Sequence, residues 1–169
     1  ELSKLPPKVR VHRNYERGGL IRAKVLGAAL TQSPVIIFME SHCVMQPGWL
    51  EPLLEVLSSP GGEKTVAVPI LDIIPENNFS AYNQADYFIG GFDWKLNFNW
   101  EGLQKVRNQS WAPPEPYRSP ALSGGIFAIN REWWERSGTY DVAMQEWGGE
   151  HVEMSLRMWR CHGQILMVP

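Results

Sequence analysis

The stretch VIIFMESH, residues 35–42, decides the fold of this chain. The run VIIFM is uninterrupted by polar side chains, which is typical of a strand buried on both faces of a parallel sheet. Ligands of open α/β sheets bind beyond the carboxyl ends of such strands, and Glu40, Ser41 and His42 stand there. In an extended chain the side chains of Glu40 and His42 point to the same side. Together they suit a divalent metal such as Mn²⁺, although two polar residues also end ordinary strands that face water.

Helices and strands alternate on both sides of this stretch. Upstream, the sequence predicts a helix from Arg17 to about Leu30, whose apolar face is formed by Leu20, Ala23, Leu26 or Gly27, and Leu30. Downstream, it predicts helices at about 47–57, 130–138 and 149–162, and strands at 65–70, 122–129 and 164–168. This alternation predicts one domain over residues 1–169, an α/β sandwich with a largely parallel central sheet.

Three segments interrupt the alternation. Residues 92–100 alternate strictly between apolar and polar side chains, which predicts a single strand with one face in water. Residues 101–119 are polar and rich in proline, which predicts a long mobile loop. Gly124 and Gly125 interrupt the strand predicted at 122–129. Glycines in a strand indicate either close approach of a ligand or another backbone, or a β-bulge.

The composition disfavours several classes of protein. With a net charge of −2, the 169-residue chain offers no electrostatic case for binding nucleic acid or an anionic membrane. No apolar segment approaches the roughly 20 residues of a membrane helix, and residues 1–4 do not begin a signal peptide. Asn78 and Asn108 begin glycosylation sequons, a short pattern that also arises by chance. Cys43 and Cys161 either pair with each other, stay free, or pair with cysteines outside this sequence.

The segment WGGE, residues 147–150, marks a second candidate site. Its glycines let the chain turn sharply into a helix whose exposed amides favour negative charge. The helix dipole by itself explains a carboxylate at Glu150. The functional alternative is that the Trp147 indole and the Glu150 carboxylate together line one side of a site and face the hydroxyls of a sugar.

These motifs, in this order, resemble those of the polypeptide N-acetylgalactosaminyltransferases, over a region from about Arg13 to Pro169. The resemblance rests on RGGLIRA at 17–23, FMESHC at 38–43, GWLEPLL at 48–54, GGFDWKLNF at 90–98, SGGIFAI at 123–129, GTYD at 138–141 and WGGE at 147–150.

The resemblance implies a GT-A fold, a Rossmann-like domain for nucleotide sugars. It implies transfer of N-acetylgalactosamine from UDP-GalNAc to Ser or Thr hydroxyls of peptides and glycoproteins, with retention at the anomeric carbon and Mn²⁺ as cofactor. Glu40 and His42 are then expected to be metal ligands, Ser41 to approach the donor ribose, and Arg17 to contact uridine.

The resemblance also assigns the remaining site residues. Gly124 and Gly125 are expected to let the backbone approach the transferred sugar. Glu150 and Trp147 are expected in the catalytic centre, Glu150 as a group that positions the sugar without covalent catalysis and Trp147 as a substrate contact. The loop that precedes Ser119 is expected near the acceptor channel.

The sequence departs from the family at two site positions. Glu40 stands where the family has aspartate, and the extra methylene keeps open the alternative of a weak or inactive relative that binds sugar nucleotide or glycoprotein. His151 stands where the family has asparagine, either as a surface substitution or as a change on the acceptor side.

By the same resemblance the sequence is expected to be incomplete at both ends and inactive alone. The first strands, a membrane anchor, a lectin domain and a third metal ligand, a histidine beyond Pro169, are expected outside it. Cys161 is then expected to be unpaired here. The full-length protein is expected to be a type II membrane protein of the Golgi lumen.

Overall fold

A computed structural model describes residues 5–103, 115–145 and 147–169. Within these ranges the helices are α1 (Gly19–Ala29), α2 (Glu51–Ser58), α3 (Arg131–Arg136) and α4 (Glu150–Arg160), and a 3-10 turn covers Gly62–Lys64. The strands are β1 (Val35–Phe38), β2 (Thr65–Pro69), β3 (Phe88–Phe92), β4 (Phe98–Gly102), β5 (Tyr117–Arg118), β6 (Phe127–Asn130) and β7 (Gln164–Val168). None of the helices in the described ranges is long and apolar enough to cross a membrane.

The central sheet has the strand order β1-β6-β2-β7-β5. Strands β2 and β7 pair in parallel, whereas β1 with β6, β2 with β6, and β5 with β7 pair antiparallel. The three strands predicted from apolar runs, β1, β2 and β7, therefore share one direction. The largely parallel sheet is confirmed only in part, because β6 runs back between β1 and β2 and β5 runs back along β7.

The core lies on both faces of this sheet, as an α/β sandwich requires. On one face, α2 packs Leu53 and Leu57 against Ala67 and Ala128. The other face carries the larger cluster, contributed by α1, α3 and α4 together with the opposite side chains of the strands. Its members include Ile21, Phe38, Val66, Phe127, Trp134, Tyr140, Met154, Met158 and Ile165.

The prediction of which face of α1 packs against the core is wrong. The helix buries Ile21 and Ala28, whereas Leu20, Leu26 and Leu30 are exposed. Leu20, Lys24 and Ala28 border an open groove of about 460 Å³ between α1 and β1. The buried face of α1 is therefore the one that carries Lys24, which is half-buried.

The prediction of a single strand at 92–100 is also wrong, because this segment contains the turn of a hairpin. Strands β3 and β4 pair antiparallel on either side of it. The Asp93 carboxylate accepts the backbone N–H groups of Lys95 at 2.8 Å and Asn97 at 3.0 Å, an arrangement typical of turn aspartates. Leu96 completes the turn with a φ of 64°. Local hydrogen bonding at Asp93 thus overrides the alternating pattern.

Other boundaries shift without changing the architecture. The strand predicted at 122–129 begins only at Phe127, since Gly124 has a φ of +78°. Asn130 precedes α3 as predicted, but its side-chain amide donates to the carbonyls of Leu57 and Gly62 rather than capping the helix. Of the predicted loop 101–119, residues 104–114 lie outside the described residues and the end forms β5. Cys43 and Cys161 are not paired with each other.

Candidate functional site

Three distant segments meet where β1 ends. The carboxyl end of β1 lies beside the amino end of β6, since Phe38 pairs with Phe127. Gly124 and Gly125 stand just before β6, and α4 begins at Glu150. A Cβ built on Gly125 would lie 3.3 Å from the carboxyl carbon of Glu40, and one on Gly124 would lie 3.0 Å from Cβ of His151. The glycine pair is therefore the point at which the two candidate sites join.

Glu40 and His42 come together as predicted, although by a different route. The chain turns at Ser41 and His42 instead of remaining extended. Nε2 of His42 lies 3.1 Å from Oε2 of Glu40, and the side chains are 78% and 47% exposed, respectively. Two neighbouring ligands of an octahedral ion, each about 2.1 Å from it, stand about 3 Å apart. The pair therefore fits two positions of one divalent ion; in the described part of the chain no cluster of three such side chains forms.

The backbone of Gly125 lies directly against the Glu40 carboxylate. A Cβ there would approach Oε1 and Oε2 of Glu40 to 3.4 and 3.5 Å. Any side chain at Gly125 would therefore press on the carboxylate. The absence of a side chain at Gly125 therefore leaves room for the Glu40 carboxylate.

Glu150 is a buried carboxylate at the first turn of α4, 2% exposed. Its Oε2 accepts the backbone N–H of Gly148 at 2.8 Å, and its Oε1 lies 3.7 Å from Nδ1 of His151. Burial acts to raise the pKa of Glu150, but the His151 side chain and the backbone N–H groups of Gly148 and Glu150 lower it to about 2. The carboxylate is thus ionised at neutral pH, with Oε2 held by the backbone and Oε1 facing His151.

His151 is not a surface substitution, because the residue is only 6% exposed. Its ring packs edge-on against Phe98, with 5.3 Å between centroids. Phe98 begins β4, so His151 connects the Glu150 helix to the β3–β4 hairpin.

Lys24 is the charged residue that the sequence reasoning missed. Its ammonium donates to the carbonyl of Gly124 at 2.6 Å. Burial lowers the pKa of Lys24, whereas the carboxylates of Glu150 and Glu40 act to raise it. The signal in the sequence was a lysine three residues after Ile21 and four before Ala28, in the middle of one helical face.

Aromatic rings enclose the Lys24 ammonium. The ring centroids of Phe38, Phe127 and Tyr140 each lie 5.9 Å from Nζ, within the range of a cation–π interaction. The Tyr140 hydroxyl is buried without a hydrogen-bond partner among the described residues, and burial raises its pKa.

Three predicted site residues face solvent instead of joining this cluster. Arg17 and Ser41 are exposed, and Trp147 is 81% exposed. Arg17 lies two residues before Gly19, where a Cβ would lie 3.9 Å from the carbonyl oxygen of Gln145. The start of α1 and the segment leading to WGGE are therefore neighbours.

Comparisons with known proteins agree with this arrangement. The profile of Glycosyl transferase family 2 matches residues 1–134, and that of the N-terminal domain of galactosyltransferase matches residues 105–169. The chain is 41% identical over 99% of its length to the Probable N-acetylgalactosaminyltransferase 6 of Caenorhabditis elegans. It is 42% identical over 95% of its length to the human Polypeptide N-acetylgalactosaminyltransferase 13.

A solved structure shows the same fold. The crystal structure of GalNAc-T7 with UDP, GalNAc and Mn²⁺ superposes with a TM-score of 0.83 at 36% identity, over 94% of this chain and 30% of that one. The predicted GT-A fold and the resemblance are confirmed. The chain spans 27% of the length of the C. elegans protein and 29% of the human one.

Proposed function

This chain belongs to glycosyl transferase family 2, and we propose that the protein transfers N-acetylgalactosamine from UDP-GalNAc to Ser and Thr hydroxyls of polypeptides and glycoproteins, with retention. One observation carries the proposal: the Glu40–His42 pair, with 3.1 Å between its donor atoms, lies against the bare backbone of Gly125. The buried carboxylate of Glu150 lies 3.7 Å from Nδ1 of His151, the residue that Gly124 faces.

Glu40 and His42 would hold Mn²⁺, the ion present in the GalNAc-T7 structure. Their oxygen and nitrogen donors suit this ion, and we propose a histidine beyond Pro169 as the third ligand. When bound, the ion stabilises the negative charge of the departing diphosphate without a proton transfer. The high exposure of both side chains leaves their donor atoms accessible to an ion from solvent.

Glu150 would position the sugar rather than attack it. The N–H of Gly148 fixes Oε2, and Oε1, which lies 3.7 Å from Nδ1 of His151, would accept a sugar hydroxyl. Its depressed pKa keeps it an acceptor at neutral pH, so it has no proton to give as a general acid. The acceptor hydroxyl would therefore attack on the face from which UDP departs.

The exposed residues would complete the donor site. Arg17 and Ser41 are both exposed. Arg17 would contact the uridine and Ser41 would contact the ribose. Trp147, at 81% exposure, has an indole face free to pack on substrate. The carbonyl of Gly124 is held by Lys24, which keeps the Gly124–Gly125 backbone in place beside the sugar.

A second function is favoured by Glu40 itself. It stands where the resemblance expects aspartate, and a metal position shifted by its extra methylene would slow transfer about 100-fold. The protein would then be a weak or inactive relative that binds sugar nucleotide or glycoprotein.

The test is transfer from UDP-GalNAc to a mixed pool of Ser and Thr peptides, by the complete gene product that contains this chain, with Mn²⁺ or with chelator. We expect product that chelator abolishes. Glu40→Ala should lower the rate about 100-fold. Glu63→Ala, which removes an exposed glutamate in the 3-10 turn, should leave the rate unchanged.

Two outcomes favour the second function. Absence of product, while a related transferase is active in parallel, contradicts the transferase proposal. If wild type is inactive and Glu40→Asp shows a large gain of activity, the natural protein is the non-catalytic relative.

We also propose that the protein works in the Golgi lumen. The sequon at Asn78 is exposed, as a glycosylated asparagine must be. Treatment of the expressed protein with an N-glycosidase should increase its mobility, and Asn78→Gln should reduce that shift. If the untreated protein already migrates as the chain without glycans, and is distributed in the cytosol, the assignment is contradicted.

A further inference from the structure

We propose that Lys24 is a positioning residue for the donor sugar, one that fixes the Gly124 carbonyl between Glu40 and His151. This inference rests on the proposed function. It concerns a residue that would act through its neighbours and not by contact with the reacting atoms.

The first argument is the hydrogen bond. At 2.6 Å, the Lys24 ammonium holds the carbonyl of Gly124, a residue whose φ of +78° suits glycine. The neighbouring backbone touches both candidate sites, because Gly124 approaches His151 and Gly125 approaches Glu40. A displacement of this carbonyl would therefore move the surroundings of Glu40 and of Glu150 together.

The second argument is charge. Glu150 is buried and ionised, and a buried charge needs a partner of opposite sign. Lys24 is the group whose charge both carboxylates stabilise. Without it, the Gly124 carbonyl would lose its donor, which is costly for a buried acceptor.

The third argument is rigidity. The rings of Phe38, Phe127 and Tyr140 surround the ammonium, and these rings belong to the core. A lysine on the surface moves among many rotamers, whereas this one is confined by packing. The described contacts of Lys24 lie on β1, β6, the Gly124 turn and the segment that carries Tyr140.

The consequence is a defect confined to the donor. In the complete gene product, Lys24→Met should lower kcat/KM for UDP-GalNAc about 10- to 100-fold, with the KM for acceptor peptide within about twofold of wild type. Lys24→Arg keeps the charge and a donor, and should recover most of the loss.

Lys64→Met is the matched control. Lys64 is also half-buried, and its ammonium lies 5.6 Å from the ring centroid of Trp133. The same substitution there removes a lysine and a cation–π contact without touching Glu40, Gly124 or Glu150. Its kinetic constants should match those of wild type.

A second measurement does not depend on activity. Hydrogen exchange of the backbone amides in the peptide 121–127 should be faster in Lys24→Met than in wild type or Lys64→Met. If Lys24→Met does not fold, Lys24→Gln, which keeps a donor without the charge, should show the donor-specific loss.

The outcomes separate the two claims. Absence of transfer by wild type defeats the proposed function, while exchange at 121–127 still decides whether Lys24 holds the backbone. Donor kinetics and exchange equal to those of Lys64→Met overturn the inference, as does equal impairment of Lys24→Arg and Lys24→Met. A lowered Tm with unchanged kinetics per folded molecule assigns Lys24 a structural role and overturns it too.

Discussion

Replacing Gly125 with alanine is expected to raise the Mn²⁺ concentration required for transfer about tenfold while leaving the fold intact. The new methyl carbon would lie 3.3 Å from the Glu40 carboxyl carbon, closer than the 3.5–4.0 Å optimum for carbon contacts. The carboxylate must then withdraw by about 0.2–0.5 Å. The Glu40 side chain is 47% exposed and yields easily, so stability should change by less than about 0.5 kcal/mol.

A displacement of Glu40 affects the affinity for the metal ion more than it affects the stability of the fold. Sites hold ligand distances within about 0.2 Å, so a comparable displacement of Glu40 should cost about 1.4 kcal/mol of ion affinity, which is the tenfold change. The assay is the initial rate against Mn²⁺ concentration, with binding of the ion followed separately by the paramagnetic resonance of free Mn²⁺.

Gly27→Ala is the control for this substitution. Gly27 lies inside α1 with no atom within 4 Å of the added carbon, so alanine should stabilise the helix by about 0.5–1 kcal/mol and leave the Mn²⁺ dependence unchanged. An unchanged Mn²⁺ requirement in Gly125→Ala would refute the reasoning, because Glu40 would then not hold the ion or would move without consequence.

Two further substitutions test the buried polar groups. Because the pKa of Glu150 is depressed to about 2 in the folded protein, its contribution to stability is present above the usual carboxyl range and is lost as pH falls toward 2. Glu150→Gln should therefore flatten the fall of the unfolding free energy below about pH 4.5; an unaltered acid profile contradicts the assignment. Ser119 accepts the N–H of Gly90 at 2.8 Å and is itself buried, so Ser119→Ala should cost about 1–3 kcal/mol in urea unfolding, and a cost near zero would show that the N–H finds another partner.

The strands of the central sheet illustrate what a sequence can reveal. β1, β2 and β7 are short apolar runs, and their positions follow from local composition. Their neighbours do not, because β6 pairs with both β1 and β2 through contacts far apart in the chain. An alternation of helices and strands predicts that β1, β2 and β7 run in the same direction. It does not predict that another strand lies between β1 and β2.

Helix α1 shows a different limit. Two of its faces are apolar, and the leucine face is the more hydrophobic one in the sequence. The structure buries the other face, which includes Lys24, because the Gly124 carbonyl accepts its ammonium and the carboxylates of Glu150 and Glu40 favour its charged form. A lysine is an unfavourable core residue until such partners are known, and they are supplied only by tertiary structure.

The Glu40–His42 pair was predicted from a spacing of two in an extended chain, yet the structure closes it through a turn. This difference bears on the substitution of glutamate for aspartate. The longer side chain of Glu40 reaches Nε2 of His42 at 3.1 Å and, at the same time, the gap left by the missing side chain of Gly125. The longer side chain therefore leaves the donor atoms of Glu40 and His42 3.1 Å apart. A separation of 3.1 Å fits two ligands of one divalent ion, so glutamate in place of aspartate is compatible with an ion at this position.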